Sequence, residues 1–320
     1  MIQVVRETTA EYSYFINQIL TLITQRMGKE YHARILKVTK NNSLELESLV
    51  LLKEGKNFAP NIYLQPYYEA YRQGTGILEL VDRICNIYRS CNTPIVEEGF
   101  RYSFEEMKQH IIYRLVNYEK NQQLLETIPH MRYLDLAITY HCLVRDDMDG
   151  IGTIRITNEH MNYWKTQLNE VHALAVKNTK DLLPSCIKSM EEVIRGMISQ
   201  ENEQGDAKVF GEYTDERSDI LSHQKRHGMY ILTNDKGING AACLLYDKVL
   251  SEFFDQVQSD FFIFPSSVHE VILVPALDQS RGKEYGDMVR EINETQVAPE
   301  EVLSNHVYFY SKKKGIIQLE

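Results

Sequence analysis

The sequence predicts an α+β fold, with mixed or antiparallel sheets and flanking helices arranged in two modules. Three observations predict it. Helix-like and strand-like periodicities both recur along the 320 residues, and strand-like segments are joined by short turns, which is typical of antiparallel pairing. Pro94 and Gly99 mark a boundary between an N-terminal module, residues 1–98, and a C-terminal module, residues 99–320.

The N-terminal module begins with a long amphipathic helix. Thr8 and Glu11 stand at capping-box spacing and predict its start, and Gly28 is placed to end it. Apolar residues three and four positions apart give the helix one core-facing stripe: Tyr12, Phe15, Ile16, Ile19, Leu20, Ile23 and Met27.

The rest of this module is predicted as a hairpin, a short strand and two helices. These elements are residues 31–38 and 44–52 around the turn Asn41-Asn42, then Asn61–Gln65, residues 66–72 and Ile77–Tyr88. Gly74 and Gly76 separate the two helices.

The C-terminal module opens with a second capping box, Ser103 with Glu106. Residues 110–118 fit a continued helix or a strand, and their Ile, Tyr and Val content favours the strand. The elements predicted next are a short helix, a strand, a returning strand, a helix interrupted near Thr166, and a further helix: Asn121–Thr127, Tyr133–Val144, Thr153–Thr157, His160–Leu182 and Ile187–Ser199.

Residues 200–224 are polar and charged, which predicts a mobile loop. The chain after residue 228 is predicted as strand, tight turn, helix and strand up to Val274. A helix and a terminal hairpin complete it: Gly282–Asn293, then Val307–Tyr310 with Ile316–Leu319.

The segment from Met229 to Val274 is where we expect a ligand or a partner to bind. A turn at residues 234–240 leads into the predicted helix of residues 241–250, and a polar cluster lies inside the last predicted strand. The candidate binding residues are Asn234, Asp235, Gly237, Gly240, Ser266, Ser267, His269 and Glu270.

Ser267 and His269 are also candidates for catalysis. Alternate residues of a strand share a face, whereas His269 and Glu270 would point to opposite faces. A serine–histidine nucleophile further needs an orienting acid and an oxyanion site, and the chain has no G-x-S-x-G motif. A polar cluster that shapes the strand entrance or contacts a partner is therefore the favoured interpretation.

Gly237 and Gly240 precede a predicted helix, where free backbone amides can receive an anion. Their spacing falls short of a Walker or dinucleotide fingerprint, so a turn capped by Asn239 is the simpler interpretation. No metal site and no cofactor are predicted. His223 and His227 lack the glutamate of H-E-x-x-H, and the acidic turn at residues 146–150 lacks the ligand pattern of a calcium loop.

Composition narrows the function further. The net charge of −10 argues against nucleic acid as a partner, and the basic run Lys312–Lys314 is predicted to be a solvated turn. No apolar run is long enough for a membrane span, and the N-terminus does not resemble a signal peptide. Five cysteines without C-x-x-C spacing fit a reducing cytoplasm and no disulfide framework.

Several segments carry a family resemblance: LVNYEKNQQLLETIPHMRYLDLAITY, ITNEHMNYW, NTKDLLP, MYILTNDKGINGAACLL, FPSSVHEVILVP and EEVLSNHVYFY. They resemble an uncharacterised domain family of anaerobic gut bacteria, known only as a domain of unknown function. More distantly, the order of elements is similar to an uncharacterised cytosolic protein family of bacilli. The resemblance implies a full-length, cytosolic, bacterial α+β protein, and it implies no activity and no catalytic residues.

The function predicted from the sequence is that of a non-enzymatic cytosolic binding, interaction or regulatory protein. Its partner would be a protein or a small ligand, bound by the 234–240 turn and the 265–270 strand. Two alternatives stay open. One is a hydrolase that uses His269, and the other is a sensor that binds a nucleotide or anion at the turn Gly237–Gly240.

Overall fold

The computed structural model describes residues 2–54, 61–90, 103–147, 150–195, 228–265, 267–276, 282–314 and 316–319. Its contacts divide the chain into two compact units, Met1–Lys40 with Leu44–Tyr102, and Asn41–Ser43 with Ser103–Glu320. The fold is α+β, as predicted, and every strand pairing among the described residues is antiparallel.

In its described residues, the first unit packs three helices with one three-stranded sheet of order β1-β2-β3. Its elements are α1 (Ile2–Met27), β1 (Tyr31–Thr39), β2 (Glu45–Lys53), β3 (Ile62–Tyr63), α2 (Gln65–Arg72) and α3 (Ile77–Ser90). The predicted hairpin is confirmed, since Tyr31 pairs with Lys53 and Thr39 with Glu45.

Helix α1 starts earlier than the sequence predicts. It begins at Ile2 and Thr8 lies inside it, so the predicted start at a Thr8–Glu11 capping box is wrong. Residues 2–7 contain no glycine or proline, so nothing in that stretch stops the helix from extending towards the N-terminus. The predicted end is confirmed: Gly28 has φ +92°, a left-handed conformation that glycine adopts without steric cost.

The core of the first unit forms between α1, α3 and the sheet. Residues of the predicted α1 stripe are buried with partners from the other elements: Phe15, Ile19, Ile23, Leu49, Leu51, Leu80, Ile84 and Cys85. The hydroxyl of Tyr88 on α3 donates to the carbonyl of Leu49 (2.6 Å) and accepts from the amide of Leu51 (3.2 Å). One side chain thus binds the helix to the middle of β2.

The second unit contains a four-stranded and a six-stranded sheet. The first has the order β4-β6-β5, and β7 pairs with the part of β6 that follows the residues paired with β5. The second has the order β13-β12-β10-β11-β9-β8. The strands are β4 (Ile111–Asn117), β5 (His130–Tyr133), β6 (Leu136–Asp147), β7 (Gly150–Arg155), β8 (Ser185–Ser189), β9 (Tyr230–Asn234), β10 (Phe261–Phe264), β11 (Val271–Pro275), β12 (Tyr308–Ser311) and β13 (Ile316–Leu319).

The helices of the second unit are α4 (Phe104–Met107), α5 (Gln122–Leu125), α6 (Asn158–Trp164), α7 (Leu168–Leu182), α8 (Val249–Val257) and α9 (Gly282–Thr295), and residues 190–195 are also helical. The Ser103–Glu106 capping box is present, with both reciprocal hydrogen bonds formed. The predicted interruption near Thr166 is confirmed, because Lys165 adopts a left-handed conformation between α6 and α7.

The predicted single strand over Tyr133–Val144 is wrong, since a turn divides this region into β5 and β6. Leu134 takes φ 55° there, although the local sequence has no glycine, proline or asparagine to signal a turn. Tertiary contacts explain it. The Asp135 carboxylate accepts hydrogen bonds from the hydroxyls of Ser304 and Tyr308, both at 2.6 Å, and lies 3.0 Å from His306 Nδ1.

Two predicted helix starts are also wrong. Residues 187–189 belong to β8, because the segment pairs along β9, with Cys186 opposite Thr233. The predicted helix of residues 241–250 is a 3₁₀ segment, Gly240–Leu245, followed by α8. The chain leaves the helical path at Tyr246, whose buried hydroxyl donates to the carbonyl of Leu183 (2.8 Å).

None of the helices in the described part of the chain combines the length and the apolar character that crossing a membrane requires. The predicted loop at 200–224 and the histidines His223 and His227 lie outside the described residues.

We expect Tyr88→Phe to lower the stability of the first unit. The change removes a hydroxyl that satisfies a buried carbonyl and a buried amide, at a cost of about 1–2 kcal/mol in free energy of unfolding. Urea denaturation followed by far-ultraviolet circular dichroism measures it. Tyr14→Phe on an exposed position of α1 is the matched control, and equal losses from both variants would contradict the assignment.

Candidate functional site

The polar cluster of the predicted site lies in a connection between two strands. The sequence predicts one strand that contains Pro265, Ser267, His269 and Glu270, but β10 ends at Phe264 and β11 begins at Val271. Strand alternation therefore does not decide the directions of His269 and Glu270, and that part of the prediction is wrong. Ser266 lies outside the described residues.

A second segment of the chain holds this connection in place. Ser267 forms a β-bridge with Val302, and the amide of Val268 donates to the carbonyl of Glu301 (2.8 Å). The amide of Ser304 donates to the carbonyl of Pro265 (3.0 Å). Residues 265–268 and 301–304 thus support each other by backbone hydrogen bonds, without belonging to either large sheet.

Asn234 builds the turn that follows β9. It is 3% exposed, and its side-chain oxygen accepts hydrogen bonds from the amides of Lys236 (3.1 Å) and Ile238 (3.3 Å). Its side-chain amide donates to the carbonyl of Ile238 (2.8 Å). Asn234 therefore shapes the turn from inside, where a ligand in solvent cannot reach it.

Two glycines allow the turn to form. Gly237 is exposed, takes φ +65° and donates its amide to the carbonyl of Asn234. Gly240 is buried where three groups approach its Cα. A β-carbon there would lie 2.1 Å from Thr233 Oγ1, 2.5 Å from the His269 carbonyl oxygen and 2.7 Å from the Asn234 nitrogen. Only glycine fits this position, and it brings the turn against the 267–270 connection.

The amides of this turn are largely occupied. Those of residues 236, 237 and 238 donate to Asn234, and the Asn239 amide donates to His269 Nδ1 (3.2 Å). The amides of Ala241 and Ala242 donate to backbone carbonyls. The structure therefore favours the simpler of the two sequence interpretations, a structural turn, over an anion-binding nest. The predicted cap by Asn239 is wrong, because its side chain forms no capping hydrogen bond with the segment Gly240–Leu245.

The side chain of His269 is 30% exposed. Nδ1 accepts from the Asn239 amide, so the neutral ring carries its proton on Nε2. Nε2 lies 3.5 Å from Glu301 Oε1, which makes the pair an ion pair whenever the ring is protonated. The imidazole is thereby fixed in orientation, with Nε2 and the Glu301 carboxylate at the surface.

Ser267 does not face either ring nitrogen of His269. Its hydroxyl oxygen accepts from the His269 backbone amide (2.9 Å) and the hydroxyl bonds the Glu270 carboxylate, while the residue is 6% exposed. Burial raises the pKa of Glu270 above its ordinary value, and the neighbouring His269 and the Ser267 hydrogen bond oppose this rise only in part. Ser267 thus supports the connection and positions a carboxylate.

Four side chains remain at the surface of this framework, and we call them the turn surface: Asp235, His269, Glu270 and Glu301. The sequence analysis predicts the first three. It does not predict Glu301, because that residue lies 32 positions after His269 in another segment of the chain.

Thr233 is a further residue of the site that the sequence analysis does not predict. Its hydroxyl donates to the His269 carbonyl (2.8 Å), and its own carbonyl accepts from the Cys243 thiol (3.2 Å). Burial raises the pKa of this thiol to about 12.

Among the residues that the structure describes, no group of three or more histidine, cysteine, aspartate or glutamate side chains is arranged to hold a metal ion. Lys312 of the basic run pairs with Asp255 and lies over the ring of Phe254.

Gly240→Ala should destabilise the second unit by about 2–3 kcal/mol, because the added methyl group overlaps backbone atoms that cannot move independently. Trp164 is the chain's one tryptophan and lies in this unit, so its fluorescence during urea denaturation reports the loss. Gly286→Ala on α9 is the control. Its methyl group would meet only Arg290 Nη2 at 3.7 Å, and we expect no destabilisation.

Glu270→Gln should raise the melting temperature at pH 7.5 and lose this effect near pH 4. The raised pKa means that the folded chain holds this proton more tightly than the unfolded chain, so ionisation lowers stability as pH rises above 4.5. Below that value both states are protonated and the substitution changes little. Glu126→Gln, at an exposed position, is the matched control, and parallel curves of melting temperature against pH for the two variants would refute the assignment.

Comparison with protein-family models matches residues 12–312 to a family described as "Family of unknown function (DUF5688)". Comparisons with curated proteins and with solved structures found no match for the chain. The family match begins within α1 of the first unit and extends in the second unit as far as the turn after β12. The chain is therefore a member of the DUF5688 family, which is a family of unknown function.

Proposed function

We propose that this chain is a non-enzymatic cytoplasmic binding protein that contacts its partner through the turn surface. One observation carries the proposal. The ionisable side chains of the turn surface are exposed or half-buried, and the backbone of the turn that holds them has already formed its hydrogen bonds. Binding residues are commonly presented by loops that a rigid scaffold holds in position. The cytoplasmic location rests on the sequence pattern of the five cysteines.

The charge of the surface defines the partner's chemistry. Glu270 and Glu301 lie beside the His269 imidazole, and Asp235 adds an exposed carboxylate in the neighbouring turn, so the complementary partner is cationic. Glu270 supplies a second argument. A carboxylate that is partly removed from water costs stability, and groups with perturbed pKa values concentrate at functional sites. A basic segment of another protein would neutralise this group.

Hydrolysis by His269 is less well supported by the same geometry. The nucleophile predicted from the sequence, Ser267, is buried and bonds a backbone amide and a carboxylate. A general base must lie within hydrogen-bond reach of the proton that it removes, and no bond between the Ser267 hydroxyl and the His269 ring is present.

Photo-crosslinking tests the binding surface directly. We expect benzoylphenylalanine in place of Asp235, which is exposed, to form a discrete adduct with a protein of the host extract. The same residue in place of Glu252, which is exposed on α8, should give only background. Equal adducts at both positions would contradict the proposal.

Charge dependence is the second measurement on the same adduct. Glu301→Gln in the position-235 variant should lower the adduct yield about threefold, as expected for the loss of one partly exposed charge. Added sodium chloride should lower it further because salt screens such contacts. If neither Glu301→Gln nor added salt changed the adduct yield, the carboxylates would not be the groups that bind the partner.

A further inference from the structure

The four-stranded sheet has two faces of different character. On one face, Tyr113 and Tyr140 approach α7: the Tyr113 backbone amide donates to the Thr179 hydroxyl (3.0 Å), and the Tyr140 hydroxyl lies 2.9 Å from His172 Nδ1. Neighbouring strand residues point to opposite faces. The residues that directly precede and follow each tyrosine along its strand therefore belong to the other face of the sheet.

That other face is apolar at both ends and basic in the middle. Ile112 and Leu143 pack with Leu183 at one end, and Ala137 packs with Leu125 and Ile128 at the other. The strand positions between these two clusters carry polar or basic side chains, where an apolar residue would continue the core. They are Arg114, Thr139, His141, Thr153 and Arg155, which we call the basic face.

The register brings these side chains together. Arg114 pairs with Thr139, and His141 pairs with Arg155 on the far side of β6. The Arg114 guanidinium crosses the central strand, because its Nη2 donates to the Thr153 hydroxyl on β7 (2.8 Å). His141 Nε2 lies 3.2 Å from the Thr139 hydroxyl. Thr139 and His141 are buried, whereas Arg155 is exposed at its edge.

The two arginines of this face have no carboxylate partner among the side chains that the structure describes, which do not include those of residues 145–151. Neither Arg114 nor Arg155 takes part in an ion pair there, and the one side-chain partner of Arg114 is a neutral hydroxyl. Arg114 Nε is enclosed, with less than 1 Å² exposed, and has no hydrogen-bond acceptor. A guanidinium donor that is enclosed without an acceptor loses its water and gains nothing in return.

The electrostatics agree with the geometry. Burial lowers the pKa of Arg114 to about 10, with the charge of Arg155 as the second cause, so Arg114 stays cationic at neutral pH. Burial, followed by the charges of Arg114 and Arg155, lowers the pKa of His141 well below its ordinary value, and that ring is neutral. On β4, β6 and β7, this face therefore carries two cations, Arg114 and Arg155, and one neutral imidazole, His141.

We propose that the basic face binds a small oxyanion, a phosphate or carboxylate group, between Arg114 and Arg155. Half-buried Arg114 contributes one positive charge, and Arg155 supplies the second charge from the exposed edge. The threonine hydroxyls line the site. Planar guanidinium groups recognise both oxyanions through paired hydrogen bonds, so the chemistry is shared and experiment must separate the two.

Calorimetric titration of the full chain with inorganic phosphate and with succinate, against chloride of equal ionic strength, tests the proposal. We expect saturable binding of at least one oxyanion and a matching rise in melting temperature. Tighter binding of phosphate would identify a phosphate site, and tighter binding of succinate a carboxylate site. No binding of either anion above the chloride control would overturn the proposal.

Variants locate the bound anion. Arg155→Gln, at an exposed residue, should weaken binding about tenfold through the loss of a charge-assisted hydrogen bond. Arg290→Gln, an equal charge change on α9, should leave binding unchanged. Equal affinities in these two variants would show a nonspecific charge effect and refute the site.

Arg114→Met separates a binding role from a structural one. We expect this variant to lose oxyanion binding and, without added anion, to melt no lower than the natural chain, since an apolar side chain removes the unpartnered donor. A variant that melts lower and still binds the anion would show that Arg114 serves the fold instead.

Discussion

The close approach at Gly240 is the constraint on which the candidate site depends. The Thr233 hydroxyl, the His269 carbonyl and the Asn234 amide nitrogen all lie where a side chain would begin at this position. Because no β-carbon stands there, the Thr233 hydroxyl can donate to the His269 carbonyl and the Asn239 amide can reach the imidazole. The orientation of His269, and through it the geometry of the turn surface, thus follows from one missing methyl group.

The regular elements were largely predictable from local patterns. The hairpin of the first unit, the capping box at Ser103 and the terminal hairpin all have signals within a few residues of one another, and the structure contains each. The errors occur where distant contacts decide the backbone. Leu134 turns because Asp135 bonds residues 304 and 308, and residues 187–189 form a strand because β9 lies beside them.

The candidate site shows the same division. Asn234, Gly237 and Gly240 belong to a turn that the sequence signals by residue type, whereas Glu301 reaches His269 only through a backbone pairing across more than 30 residues. The basic face has no local motif at all. Arg114, His141 and Arg155 lie in three strands, and each looks unremarkable until the register places them side by side. Sequence patterns describe neighbours along the chain and cannot show which strands meet.

The Cys243 thiol beneath the turn gives this region a built-in chemical reporter. It is buried, its hydrogen goes to the Thr233 carbonyl, and burial raises its pKa to about 12, so almost no thiolate exists in the closed state at neutral pH. Alkylating reagents attack the thiolate. The rate at which such a reagent modifies Cys243 therefore measures how often the turn opens. A bound partner would lower that rate in proportion to the fraction of the protein that is bound.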